Sequence, residues 1–445
     1  MDRRHFIGSA TAGLLGGTLS ACGGGEDAAI SAGDAPAAKS LSSVSRLNEL
    51  APGSAGKSRV IVIGGGMGGA TAAKYLRLWG DDIDVTLIER LPTYTSSIMS
   101  SLVLSGQRSL QSLHFNYDKL RSLYGITTVF GNVVSIDPVS VRVTLADGSS
   151  YSADRIVMAP GIAFDTIPGL GTSTAMPHAW IAGPQTALLA KQLSAMPRGG
   201  VVLLTIPKMP YRCPPGPYER ACLLADWLKQ RKPGSKLIVL DANLDIVTEK
   251  DNFTSAFLGL HGDVIEYRNN AEITSVDPGT MTLFTTAGTI RGDVINLIPH
   301  QRAAALITES SLNNATEKRF AGVDVLSYAS TVAGAENIHI IGDASATTQP
   351  KAGHIANQEA KVCADAICRL LAGGAPDPAP VTHSACYSTI TMKKASWLTA
   401  GYQYDIGSAS MQAVAASSGA SNGWSGDSFD EMGEWFQTLM ADTFA

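Results

Sequence analysis

The chain has 445 residues, 45% hydrophobic and 16% charged, with a formal net charge of −5 at pH 7. That length and composition allow a large buried core divided into two or three domains. A mildly acidic balance without basic runs gives no reason to expect a nucleic-acid partner, and beyond the N-terminal segment no apolar run approaches membrane-spanning length.

The N-terminus reads as an export signal. Arg3-Arg4-His5-Phe6-Ile7 is a twin-arginine pair followed by an apolar residue, and a weakly apolar Gly/Ala/Leu run then ends at Leu19-Ser20-Ala21-Cys22. The run is too short and glycine-rich to remain as an anchor, so it points to twin-arginine export to the periplasm, a route that carries folded proteins. Leu-Ser-Ala-Cys is also similar to a lipobox, which would put a lipid anchor at Cys22; ordinary cleavage near Ala21 is the alternative. The Gly/Ala/Ser-rich stretch to about residue 56 suits a tether. Six cysteines fit neither a small-domain disulfide framework nor a zinc site, and eight histidines lack ligand spacing, so no metal is expected. No Cys-x-x-Cys-His occurs, so the chain itself holds no c-type haem.

Arg59-Val60-Ile61-Val62-Ile63 is a continuous β-branched run, as in a buried parallel strand. It enters Gly64-Gly65-Gly66-Met67-Gly68-Gly69 and then a helical stretch. Gly64 allows the tight turn, Gly66 lets a pyrophosphate approach the backbone, and Gly69 lets the helix pack on the strand; Gly68 completes the candidate cradle. A second strand, 85–88, ends at Glu89, where an acid binds a ribose hydroxyl pair. Arg90, Ser97 and Val133 are further candidate cofactor-binding positions. Two later motifs signal the same nucleotide: strand 155–158 runs on to a stop at Gly161, and strand 337–341 leads to Gly342-Asp343, where the aspartate would hold the ribityl chain of FAD. Three motifs in this order favour FAD over NAD.

The middle of the chain has the strands of a second dinucleotide domain, 201–206 and 236–241, but no Gly-x-Gly-x-x-Gly between them. A nicotinamide cofactor would lack a cradle. The loop holds instead Tyr211-Arg212-Cys213-Pro214-Pro215-Gly216-Pro217-Tyr218-Glu219, too rich in proline for a strand. A helix is predicted from 218 to about 229, which places Cys213 just before its start. There the helix dipole and Arg212 would favour a thiolate, and Glu219 could exchange protons with whatever the sulfur attacks. A merely buried cysteine in a stiff loop is an equal alternative.

Cys363 and Cys368, on one predicted helix, point in different directions and read as core. Cys222, inside the helix after the loop, is a minor candidate for a resolving thiol. His300 and Arg302 read as surface residues that could attract an anion. Prolines at 376–380 mark a domain boundary, 408–426 reads as a loose Gly/Ser/Ala stretch, and Ser428-x-x-Glu431 is a capping box opening an amphipathic helix that docks on its own C-terminal domain, with an interface to a second subunit as the lesser alternative.

From about Arg59 onward the chain resembles the flavoprotein subunit of flavocytochrome c sulfide dehydrogenase, a relative of sulfide:quinone oxidoreductase. The residues that carry the resemblance are Gly-Gly-Ala-Thr-Ala-Ala-Lys-Tyr at 68–75, Pro-His-Ala-Trp at 177–180 and Arg-Cys-Pro-Pro-Gly-Pro-Tyr-Glu-Arg at 212–220. Val-Ile-Asn-Leu-Ile-Pro at 294–299, Ile-Gly-Asp-Ala at 341–344 and Ala-Cys-Tyr-Ser at 385–388 extend it. The resemblance implies a redox disulfide between Cys213 and Cys386 beside the flavin, Glu219 as acid/base, sulfide or polysulfide as substrate, and electron transfer to a separate c-type cytochrome. It also implies a departure: Ser97 stands where haem-linked members carry a cysteine bonded to the flavin, so FAD is expected to be non-covalent.

The expected fold is α/β: two Rossmann-like dinucleotide-binding domains, the FAD domain split by the second, plus an α+β C-terminal domain. The boundaries are signal and tether 1–57, FAD domain 58–172 and 299–375, second domain 173–298 with Cys213, and C-terminal domain 376–445 with Cys386. The alternatives are an FAD disulfide oxidoreductase using organic thiols or quinone, and a non-turnover flavin-binding lipoprotein serving as redox sensor or assembly partner.

Overall fold

A computed structural model describes residues 57–80 and 82–445; the twin-arginine segment, Cys22 and the tether lie outside the described residues. The β-branched run 59–63 forms the strand Ser58–Ile63 in an eight-stranded sheet. Its parallel heart runs Ile338–Ile340, Arg155–Met158, Ser58–Ile63, Ile83–Glu89, Thr127–Phe130. Both faces are covered, and side-chain alternation sorts the strand between them. Val60 and Val62 meet the helices Met67–Trp79 and Gly353–Leu371, whereas Ile61 and Ile63 meet a meander of Val133–Asp137, Arg142–Leu145 and Ser150–Ser152. Small buried residues at the helix contact, Ala70 and Ala73 facing Ala360 and Ala364, suit a close approach.

The second domain repeats this plan on a smaller scale. Its parallel sheet runs Ile265–Arg268, Lys236–Asp241, Val201–Ile206, Val294–Asn296. One face takes the helices Pro184–Ala195 and Gly216–Arg231, and the other a three-stranded meander that buries Val276 and Leu283 against Leu203 and Ile295. The chain leaves the first domain after Ile162–Phe164 and returns along Gln301–Ala303; these two strands pair antiparallel and close the insertion. The two Rossmann-like sheets of the expected α/β fold are therefore both present.

After the prolines come three antiparallel strands, Val381–Thr391, Lys394–Asp405 and Ser410–Ala420, and the helix Gly426–Phe444. Two readings need correction here. Most of the stretch 408–426 is the strand Ser410–Ala420, broken by a register shift between Val414 and Gly419, because pairing with Lys394–Asp405 outweighs its poor intrinsic β propensity. Ser425, not Ser428, caps the last helix, its hydroxyl accepting from the Ser428 N–H at 3.0 Å. That helix also grips the FAD domain: Asp442 takes the Tyr75 hydroxyl at 2.6 Å and pairs with Lys361 at 2.9 Å, and Phe444 stacks on Tyr94 and Phe115 at 5.2 and 5.4 Å.

Candidate active site

The turns that follow the first-sheet strands Ser58–Ile63, Ile83–Glu89, Arg155–Met158 and Ile338–Ile340 open into a cavity of about 390 Å³. Gly64, Gly66, Gly68, Glu89, Arg90, Ser97, Gly161, Gly342 and Asp343 all line it. Gly64 has φ of +93°, the positive angle the turn requires. Gly69 lies behind the cradle: a Cβ there would sit 1.8 Å from the Gly64 carbonyl oxygen, so its role is close helix–strand packing. Val133 does not line the cavity; it begins a strand of the meander and pairs with Leu145. Glu89 is held by the N–H groups of Gly65 at 2.6 Å and Leu91 at 3.0 Å. Ser97 Oγ accepts from the Ala182 N–H at 3.2 Å.

The wall that carries the candidate cysteines belongs to the same cavity as this cradle. Cys213, Glu219 and Cys386 all line the same cavity. Cys213 adopts a left-handed backbone, φ +58°, fixed by its N–H donating to the Lys351 carbonyl at 2.6 Å. A Cβ at Gly216 would lie 2.9 Å from the Cys213 sulfur, so glycine is needed where the helix Gly216–Arg231 begins beside it. Cys386 stands mid-strand, opposite Leu398. Neither thiol is bonded to another cysteine in the structure.

Of the two readings of Cys213, thiolate or buried thiol, this geometry favours the buried thiol. Burial pushes the thiol up, the neighbouring Cys386 and Glu219 add to it, and the opposing Arg212 charge does not compensate. The sulfur is half-buried in the cavity wall, where loss of solvent outweighs the dipole at a helix start. Arg212 also turns toward Trp180, donating to its carbonyl and lying over its ring at 5.9 Å. Burial likewise lifts the Glu219 carboxyl to about 8; the Thr389 hydroxyl and Arg220 oppose the rise, and Glu249 adds to it. A carboxyl raised to about 8 is poised to exchange a proton close to neutral pH.

Arg220, the last residue of the Cys213 segment, braces the wall from behind. It is fully buried, with its guanidinium donating to Asn296 Oδ1 and the Ala179 carbonyl at 2.9 Å each, and stacked over Trp180 at 4.9 Å. The Pro-His-Ala-Trp stretch thus packs directly on the Cys213 segment. His354 was missed by sequence reasoning: its Nδ1 accepts from the Ala385 N–H at 3.0 Å, fixing the backbone beside Cys386. Tyr94, Tyr117 and Trp435 also line the cavity unannounced, since only the tertiary fold brings them there.

The other candidates fall elsewhere. Cys222, Cys363 and Cys368 are buried in core clusters. His300 and Arg302 gather with Arg319 around Asp165, at 3.6, 2.5 and 2.7 Å, and do not line the cavity. Asp241, at the strand end where a second dinucleotide's ribose would be read, is fully buried. Its Oδ2 takes the hydroxyls of Tyr218 and Tyr267 at 2.6 and 2.8 Å, and its Oδ1 takes both Asn243 donors at 2.8 Å.

Three family profiles match separate parts of the described chain. Residues 58–182 match pyridine nucleotide-disulphide oxidoreductase, 186–299 match the sulfide dehydrogenase [flavocytochrome c] flavoprotein chain, central, and 378–444 match flavocytochrome c sulphide dehydrogenase, flavin-binding. The sulfide dehydrogenase [flavocytochrome c] flavoprotein chain of Chlorobaculum thiosulfatiphilum is 46% identical over 48 residues, 11% of this chain and all of that sequence. The chain belongs to the flavocytochrome c sulfide dehydrogenase flavoprotein family. Apoptosis-inducing factor homolog A of Dictyostelium discoideum is 34% identical over 105 residues, a match spanning 24% of each chain. The sulfide:quinone oxidoreductase of Aquifex aeolicus has the same fold, with a TM-score of 0.71 at 16% identity over 87% of this chain and 91% of that one. An NAD-dependent persulfide reductase from A. fulgidus superposes with a TM-score of 0.58 at 15% identity over 86% and 77%.

The cofactor of this flavoprotein is FAD, and the cavity fits it. Asp343 Oδ1 is buried without a partner, as an acceptor for a ribityl hydroxyl would be, and the fingerprint glycines leave their turn open to a pyrophosphate. Trp180 and Trp435 bring two further buried indole N–H groups without acceptors to the same walls.

Proposed function

We propose that this flavoprotein oxidises sulfide to zero-valent sulfur or polysulfide through a Cys213–Cys386 disulfide, with Glu219 carrying protons and a separate c-type cytochrome taking the electrons. The observation that carries this reading is convergence: two cysteines and a carboxyl with a raised pKa, from different domains, line the cavity of the dinucleotide cradle. Bound FAD supplies the acceptor for an electron pair. Hydrosulfide adds to one sulfur of the disulfide, leaving that cysteine as a persulfide and the other as a thiolate. Re-forming the disulfide releases the substrate sulfur at the zero-valent level, with two electrons and one proton to be removed. Glu219 is placed to take that proton, while Arg212, Arg220 and His354 hold the loop and strand that carry the two sulfurs. Twin-arginine export to the periplasm and a lipid anchor at Cys22 complete the proposal on the strength of the sequence alone.

The test is anaerobic addition of sulfide to the FAD-loaded protein while following the flavin absorbance. Bleaching that disappears in Cys213→Ser and Cys386→Ser is the expected result. A flavin that ignores sulfide but is reduced by an organic thiol would overturn it in favour of a thiol oxidoreductase, and no reduction by either would favour a binding protein. Mixing the reduced protein with cytochrome c or with a quinone then identifies the acceptor.

A further inference from the structure

Glu249 is not among the sequence candidates, yet its carboxylate reaches across a domain boundary toward Cys386. One oxygen accepts from Ser388 Oγ and the other from Ser396 Oγ, each at 2.6 Å. Ser388 and Ser396 stand directly opposite each other in the antiparallel pair, and both are fully buried. Side chains alternate along a strand, so Ser388 shares a face with Ser384 and Cys386. Ser384 acts on the Cys386 thiol, opposing the rise in its pKa. The second domain thus grips, with both oxygens of one carboxylate, the rung of the C-terminal sheet next to the thiol and on the thiol's own face.

A pair of apolar residues could dock the two domains here without withdrawing a charge from water. The presence of a carboxylate instead, with a left-handed backbone of φ +43° at Glu249, points to a use for the charge itself. We propose that Glu249 is a positioning residue for Cys386: it locks the strand that presents the thiol and supplies the negative charge the thiol faces. This rests on the Cys213–Cys386 reading above. Cys386 is faced by Cys213 and Glu219 from the second domain, by Tyr402 from the neighbouring strand, and by His354 through the Ala385 backbone. The cations of this wall, Arg212 and Arg220, act on Cys213 and Glu219. Burial, then Glu249, then Glu219 push the Cys386 thiol up to about 12. A fixed negative charge beside this sulfur favours its uncharged forms, thiol and disulfide, over the thiolate.

The experiment uses the FAD-loaded full chain with Cys213→Ser, so that Cys386 stands alone at the wall. Alkylation of Cys386 by iodoacetamide is followed by peptide mass across a pH series, with and without Glu249→Gln. Glutamine keeps a hydrogen-bonding partner for each serine and removes the charge. The midpoint of the profile should fall by about one pH unit, which raises the rate near neutral pH about tenfold. A profile identical to the parent's overturns the proposal. Should Glu249→Gln fail to retain flavin, Ser396→Ala frees half of the grip and is expected to move the profile the same way; an unmoved profile there overturns it equally. The readout does not involve sulfide, so failure of the disulfide reading, seen as sulfide bleaching that survives Cys386→Ser, remains a separate result.

Discussion

Thr389 donates its hydroxyl hydrogen to the Glu219 carboxyl at 3.2 Å, tying that carboxyl to the strand that bears Cys386. Burial raises this carboxyl to about 8, so it is protonated below that pH and ionised above it. If Glu219 accepts the proton that sulfide oxidation releases, the rate of flavin reduction should climb as pH rises through about 8. Glu219→Gln should remove that limb and slow reduction by about a hundredfold or more. Stopped-flow reduction between pH 6 and 10 measures both; a limb that persists in the variant assigns it to another group.

The fingerprint glycines differ in what they tolerate. A methyl group at Gly69 would meet the Gly64 backbone oxygen at 1.8 Å, whereas at Gly68 it would meet the flexible end of Ile341 at 3.3 Å. Gly69→Ala should therefore purify without flavin or fail to fold, while Gly68→Ala retains a good part of it. The ratio of flavin to protein absorbance in the purified variants decides the point.

Arg220 satisfies Asn296 and two backbone carbonyls from a fully buried position. Arg220→Met keeps the bulk but leaves those acceptors without donors, and should cost about 3–5 kcal/mol. Urea unfolding followed by flavin fluorescence provides the measurement, and a loss under 1 kcal/mol would show that the wall does not depend on this brace.

Ser97 lines the cavity with a hydroxyl, which forms no thioether with a flavin methyl group. Acid precipitation should release all of the yellow colour into the supernatant. Colour kept in the pellet would mean a covalent link at some other residue.

Much of the framework could be read from residues that act locally. A β-branched run entering a glycine turn announces a strand and a cradle wherever it occurs, and the prolines around Cys213 exclude a strand by backbone geometry alone. What escaped depends on partners distant in the chain. The strand Ser410–Ala420 owes its existence to a neighbour, since Ser, Gly and Ala have little β preference of their own. The state of the Cys213 thiol stayed open between thiolate and buried thiol, because a helix start is visible in sequence and burial is not. Cys386 came to Cys213 only through the family resemblance, and the Glu249 contact with Ser388 and Ser396 joins positions that no local pattern connects.

The hydrogen bonds at Asp241 have a bearing on the protein's place among cellular electron carriers. A carboxylate offers about four acceptor sites, and here Tyr218, Tyr267 and Asn243 occupy all four inside the core. A nicotinamide nucleotide arriving at the second Rossmann domain would find no oxygen left for its ribose. The fold keeps the architecture of a two-nucleotide enzyme with one of its ports plugged from within. Under the proposed function, electrons taken from a sulfur substrate would be kept from the nicotinamide pool and would leave through the flavin.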